Sequence, residues 1–244
     1  MRRMTIAIAI LCTSAMACAQ EIPPGTALPV VLTSTLDAGK VKAGQPVSGR
    51  IEQDVPLASG TKIRAGSRVN GRVLQAGVNA DGSSYIRLRF DQVRAKGRDI
   101  PVATSLRALA SWWAVENALA PTHTPIRGEN ENNWTTTQVG GDVVYRGGGH
   151  VMHGDEVVGD PAYRGVLAEL VSAPQPGCAN NSAGRRLALW VFASSACGPY
   201  GFDDLDIAQA GDTNPVGEIV LRSKTNVHLQ GGSGMLLITE GTGR

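Results

Sequence analysis

Four groups able to ligate a metal fall in the stretch HVMHGDE: His150, His153, Asp155 and Glu156. Neutral imidazoles with carboxylates suit zinc or a similar divalent ion, and a Gly-flanked loop can wrap round one. On this reading His150, His153 and Asp155 are the ligands, and the chemistry is metal-dependent hydrolysis. The stretch contains no His-Glu-x-x-His, so zinc-protease spacing is missing. The competing reading is a polar loop with two exposed imidazoles and no cofactor, and the missing signature favours it.

Other chemistry-bearing residues are sparser. Ser233 sits in GGSGM, which lacks the outer Gly of a nucleophile elbow and reads as a closing turn. Gly147, Gly148 and Gly149 precede neither Lys-Ser nor Lys-Thr, so they form no phosphate loop. Asp203, Asp204, Asp206 and Asp212 offer oxygen ligands for calcium but lack the mid-loop Gly of an EF-hand. Trp112, Trp113 and Trp134 could serve a carbohydrate-binding module as a stacking platform. The plainer reading of the Trp112-Trp113 pair turns one ring into a core.

The opening MRRMTIAIAILCTSAMACAQ reads as a signal peptide over residues 1–19, with Arg2 and Arg3, an apolar run, then Ala17-Cys18-Ala19. Lipid attachment through Cys18 is the weaker alternative, because Ala15 stands where a lipobox wants Leu. Without Arg2 and Arg3 the 23 basic residues become 21, equal to the 21 acidic ones. A neutral mature chain with scattered Arg offers no field for nucleic acid. No mature segment is apolar enough to span a membrane. Cys12 and Cys18 also leave, so Cys178 and Cys197 remain, and an exported pair is expected as a disulfide. Such a bridge contributes roughly 3 kcal/mol by restricting the unfolded chain.

The elements that would position these residues are mainly strands. Gly-rich turn signals recur through residues 20–104, and YIRLRF alternates Ile86, Leu88 and Phe90 against Tyr85, Arg87 and Arg89. Lys96-Gly97 marks a hairpin turn. Residues 105–120, SLRALASWWAVENALA, read as a helix stopped by Pro121. A polar, Gly-rich stretch follows to residue 165, as a long loop or a set of irregular hairpins. Residues 166–244 return to strands, including LALWVFA at 187–193, a run suited to burial on both faces. The fold class expected is mainly β, a small barrel or sandwich with one inserted helix and a Gly-rich loop region.

Two phrases share one β-turn-β grammar: IPPGTALPVVL from Ile22 and IRAGSRVNGRV from Ile63. With AGQPVSGRIEQDV between them and RFDQVRAKGRDIPV after, they resemble the β-barrel domain of TrbI-type conjugation proteins, envelope components of type IV secretion systems. The resemblance covers residues 22–103, a third of the chain, and rests on turn chemistry. It implies a β domain in the bacterial envelope with protein partners. The expectation is an exported, non-enzymatic protein of periplasm, outer envelope or medium, with a structural or protein-interaction role.

Overall fold

The computed structural model describes residues 21–122, 134–146, 149–171, 185–208 and 217–241. The chain runs β1 (Ala27–Leu32), β2 (Leu36–Asp37), β3 (Pro46–Ile51), β4 (Val55–Pro56) and β5 (Lys62–Ile63). It continues through β6 (Arg68–Val78), β7 (Ser84–Ala95), β8 (Arg98–Pro101) and β9 (Ala103–Ala110) to α1 (Trp112–Leu119). Five strands follow: β10 (Trp134–Thr137), β11 (Val143–Arg146), β12 (Val151–His153), β13 (Glu156–Ala162) and β14 (Gly165–Ala168). The remainder is β15 (Leu187–Ala188), β16 (Gly198–Tyr200), β17 (Leu205–Ala208), β18 (Ile219–Ser223), β19 (His228–Leu229) and β20 (Gly234–Glu240).

Ten of these strands make one sheet, ordered β16-β9-β20-β1-β3-β6-β7-β18-β17 with β8 on β7. Its end strands do not pair with each other, so the sheet does not close into a barrel. A six-stranded sheet, β10 to β15 in chain order, forms the second layer. The protein is therefore mainly β and sandwich-like, as expected, and the barrel alternative falls away. Residues 20–104 and 166–244 feed the same sheet: β1 pairs antiparallel with β20, and β7 with β18.

Two apolar cores flank the central strands. Leu28, Val30, Phe90, Leu109 and Leu237 belong to the first. Ala27, Ala108, Leu236 and Ile238 belong to the second, with Val144, Val166 and Phe192. Successive residues of β1, β9 and β20 thus enter opposite cores. Strands buried on both faces carry no polar alternation. In β7, by contrast, Ile86, Leu88 and Phe90 are fully buried while Tyr85, Arg87 and Arg89 are partly exposed. That alternation is the half-buried strand read from YIRLRF.

The expected helix over 105–120 is corrected: residues 103–110 are strand, and only Trp112–Leu119 is helical. Leu106 and Leu109 stand three apart, as on a helix, because of a β-bulge. Leu236 pairs with Ala108 and Leu237 with Leu106, so Arg107 is the extra residue. Ser111 then starts α1 as its N-cap, its Oγ accepting the Ala114 N–H at 3.2 Å. The Gly-rich stretch resolves into hairpins, with His153 opposite Glu156 across the Gly154-Asp155 turn. Among the described residues no helix is long and apolar enough to cross a membrane.

LALWVFA is corrected as well. Only Leu187–Ala188 is strand, pairing with β14; residues 189–196 are irregular, with one isolated bridge from Phe192 to Val139, and all but Ser195 are buried. Trp190 adopts φ 52°, in the left-handed region that a bulky side chain rarely enters. Apolar runs report burial, and periodicity alone cannot tell a buried strand from another buried segment.

Candidate functional site

A buried loop needs a partner for each backbone N–H and C=O, since an orphaned group costs about as much as a lost hydrogen bond. Residues 189–196 find some in backbone, notably Val139 on either side of Phe192 and Val166 at Leu189, and the rest in side chains distant in sequence. Gln53 Oε1 accepts the Trp190 N–H at 2.6 Å, and Gln138 Nε2 donates to the Trp190 carbonyl at 3.0 Å. Asp142 Oδ2 accepts from the Ser194 N–H at 2.9 Å and from its hydroxyl at 3.1 Å. Arg107, the bulge residue, donates from Nε to the Ala196 carbonyl at 3.0 Å. Burial lowers the pKa of its guanidinium from the ordinary value.

This network contains a serine, an aspartate and a histidine, but not in an order that makes a nucleophile. His153 Nδ1 donates to Asp142 Oδ1 at 2.9 Å, so the aspartate stands between Ser194 and His153. A nucleophilic serine needs the imidazole as its base, with the carboxylate behind it. Ser194 is also fully buried. The arrangement tethers the 189–196 loop to β12.

The expected metal ligands are kept apart. His150 Nδ1 donates to Asp160 Oδ1 at 2.7 Å, whose other oxygen accepts from Arg186. That imidazole, with Arg186, lowers the Asp160 pKa. His153 is committed to Asp142, and Asp155 lies exposed in a turn. Among the described residues no group of three or more His, Cys, Asp or Glu gathers as a metal site.

Cys197 is disulfide-bonded, while Cys178, its expected partner, lies outside the described residues. So do residues 1–19 with Cys18, the run Gly147-Gly148, and Asp212. Ser233 is buried in the turn before β20, its N–H donating to the Gln230 carbonyl at 3.0 Å. Trp112 and Trp113 meet edge-on with ring centroids 4.7 Å apart. Trp112 packs on the backbone of Gly232, and Trp113 is 67% exposed.

Apolar side chains also line up on the outer face of the second sheet. Register aligns Val143, Met152 and Val157 across β11, β12 and β13. Val143 is 38% and Val157 48% exposed, and Tyr145, two residues along β11, is 49% exposed. Val144 between them is fully buried in the second core. Comparison with protein families and with curated proteins found no match.

Sequence reasoning missed Gln53, Arg107, Gln138, Asp142 and Ser194. Gln53 and Trp190 are 137 positions apart, and no local motif links them. The one available signal was LALWVFA itself, whose burial demands distant polar partners wherever it fails to pair as a strand.

Proposed function

We propose that this chain is an exported, non-enzymatic β-domain protein of the bacterial envelope, whose working surface binds a protein partner. The observation that carries this reading is the row Val143, Met152, Val157 with Tyr145 beside it. Met and Tyr are enriched in protein interfaces, and clustered apolar side chains on an exposed sheet face mark contact surfaces. The signal-like opening and the TrbI-like phrases over residues 22–103 support the envelope address. The side chains best suited to chemistry, Asp142, His153, Ser194 and Arg107, instead hold up a buried loop.

The test places a photo-crosslinking residue at Met152 in the tagged full-length chain, with fractionation of the cells. The expected result is a discrete adduct in the envelope or secreted fraction, lost when Val143 and Val157 are both changed to Lys. Recovery solely from the cytoplasm, or an adduct indifferent to the Val143→Lys and Val157→Lys changes, would end the proposal. Mass measurement of the mature chain should show residues 1–19 removed.

A further inference from the structure

The outer surface of the large sheet is hollowed where β17, β18 and the β6–β7 hairpin meet, leaving a cleft of about 310 Å³. Strand register builds it. Asp206 lies opposite Arg222, Arg222 opposite Tyr85, and Tyr85 opposite Gly77. A Cβ on residue 77 would stand 3.2 Å from the Tyr85 ring, so the glycine lets that ring lie across β6. Gln75 Nε2 donates to the Tyr85 hydroxyl oxygen at 2.8 Å and fixes it there.

Lys224, just past the end of β18, and Asp204, just before β17, line the same cleft. Asp204 is already engaged: its Oδ2 accepts from the Ser223 hydroxyl at 2.8 Å and from the Thr225 hydroxyl at 2.9 Å. Asp206, Arg222 and Lys224 are different. No ion pair or side-chain hydrogen bond engages them among the described residues. Opposite charges facing each other across a strand pair ordinarily close together. Here Arg222 and Asp206 stay apart, and both line the cleft.

We propose that this cleft binds a small zwitterion of the α-amino-acid class, its carboxylate on Arg222 and Lys224 and its ammonium group on Asp206. A guanidinium fork matches a carboxylate through two parallel hydrogen bonds, and Lys224 adds a point charge beside it. Asp206 supplies the acceptor oxygens an ammonium needs. Two carboxylates and two cations sum to zero, which complements a ligand without net charge and disfavours a polyanion. The volume stands at the small end for ligand pockets, and the Tyr85 ring provides an apolar wall. This inference does not use the apolar face of the second sheet.

The test is a nuclear magnetic resonance titration of the mature chain with glycine, L-alanine, L-serine, L-glutamate and L-lysine. Acetate and methylammonium serve as half-ligands. At least one amino acid should shift the Tyr85, Arg222 and Lys224 amides saturably, with each half-ligand binding at least about tenfold more weakly. Arg222→Met and Asp206→Asn should each weaken binding by about tenfold or more, with the unfolding temperature unchanged. Three results would overturn the proposal: no saturable shift by about 10 mM, acetate binding as tightly as the amino acid, or binding that survives both substitutions.

Discussion

Gln53 accepts the backbone N–H of Trp190 at 2.6 Å and, from the other end of the same amide, donates to the Val166 carbonyl at 2.7 Å. One side chain thus ties the segment that follows β3 to the buried loop and to β14. The loop's φ of 52° at Trp190 persists because such fixtures over-determine it. Replacing Gln53 by Leu would leave the buried Trp190 N–H unpartnered, while the Val166 carbonyl keeps the Leu189 N–H at 3.0 Å. The expected loss is about 1–3 kcal/mol, read from urea unfolding. A loss below about 0.5 kcal/mol would show that water replaces the amide.

The two-core arrangement makes neighbouring residues of β20 equivalent in cost. Leu237 packs in the first core and Leu236 in the second, both fully buried. Leu236→Ala and Leu237→Ala should each cost about 2–5 kcal/mol. An ordinary half-buried strand would lose stability at only one of the two positions.

Close approach of β6 and β7 rests on Gly71. A Cβ there would stand 1.8 Å from the Arg89 carbonyl oxygen, at the bulge between Asn70 and Gly71. Backbone cannot yield as a side chain can, so Gly71→Ala should cost about 3 kcal/mol or more. Unfolding midpoint and yield of folded protein both report it.

Acid should weaken the fold through specific carboxylates. Lys62 and the Ala65 N–H hydrogen-bond to Asp54 and lower its pKa, at 2.5 Å and 2.9 Å respectively. Ser223 and Thr225 do the same for Asp204. A carboxyl with a lowered folded-state pKa adds stability above its unfolded pKa and loses it as pH falls through the folded value. Urea midpoints should therefore hold near neutrality and decline below about pH 4, with a smaller decline in Asp54→Asn plus Asp204→Asn. A midpoint that rises on acidification would contradict this.

Much of the architecture was legible because one-sided burial writes itself as alternation. YIRLRF, with polar residues between Ile86, Leu88 and Phe90, could only be a half-buried strand. Where both faces are covered that signal vanishes, and SLRALA imitated a helix because the Arg107 bulge set Leu106 and Leu109 three apart. LALWVFA correctly announced burial, yet its conformation depends on Gln53, Gln138 and Asp142, which lie far away in sequence. The HVMHGDE cluster was legible as residue types only. Hairpin register sent each imidazole to a carboxylate outside the stretch, Asp160 and Asp142.

Native-state hydrogen exchange of the Trp190 and Ser194 amides tests most directly whether the polar network is a structural support. If Gln53 and Asp142 hold the loop as part of the core, both amides should exchange only through global unfolding, as slowly as those of β20. They should speed up together in Gln53→Leu and Asp142→Asn. Exchange of either amide in the native protein at the rate of an exposed turn would show that the loop opens on its own, and the support role would be wrong.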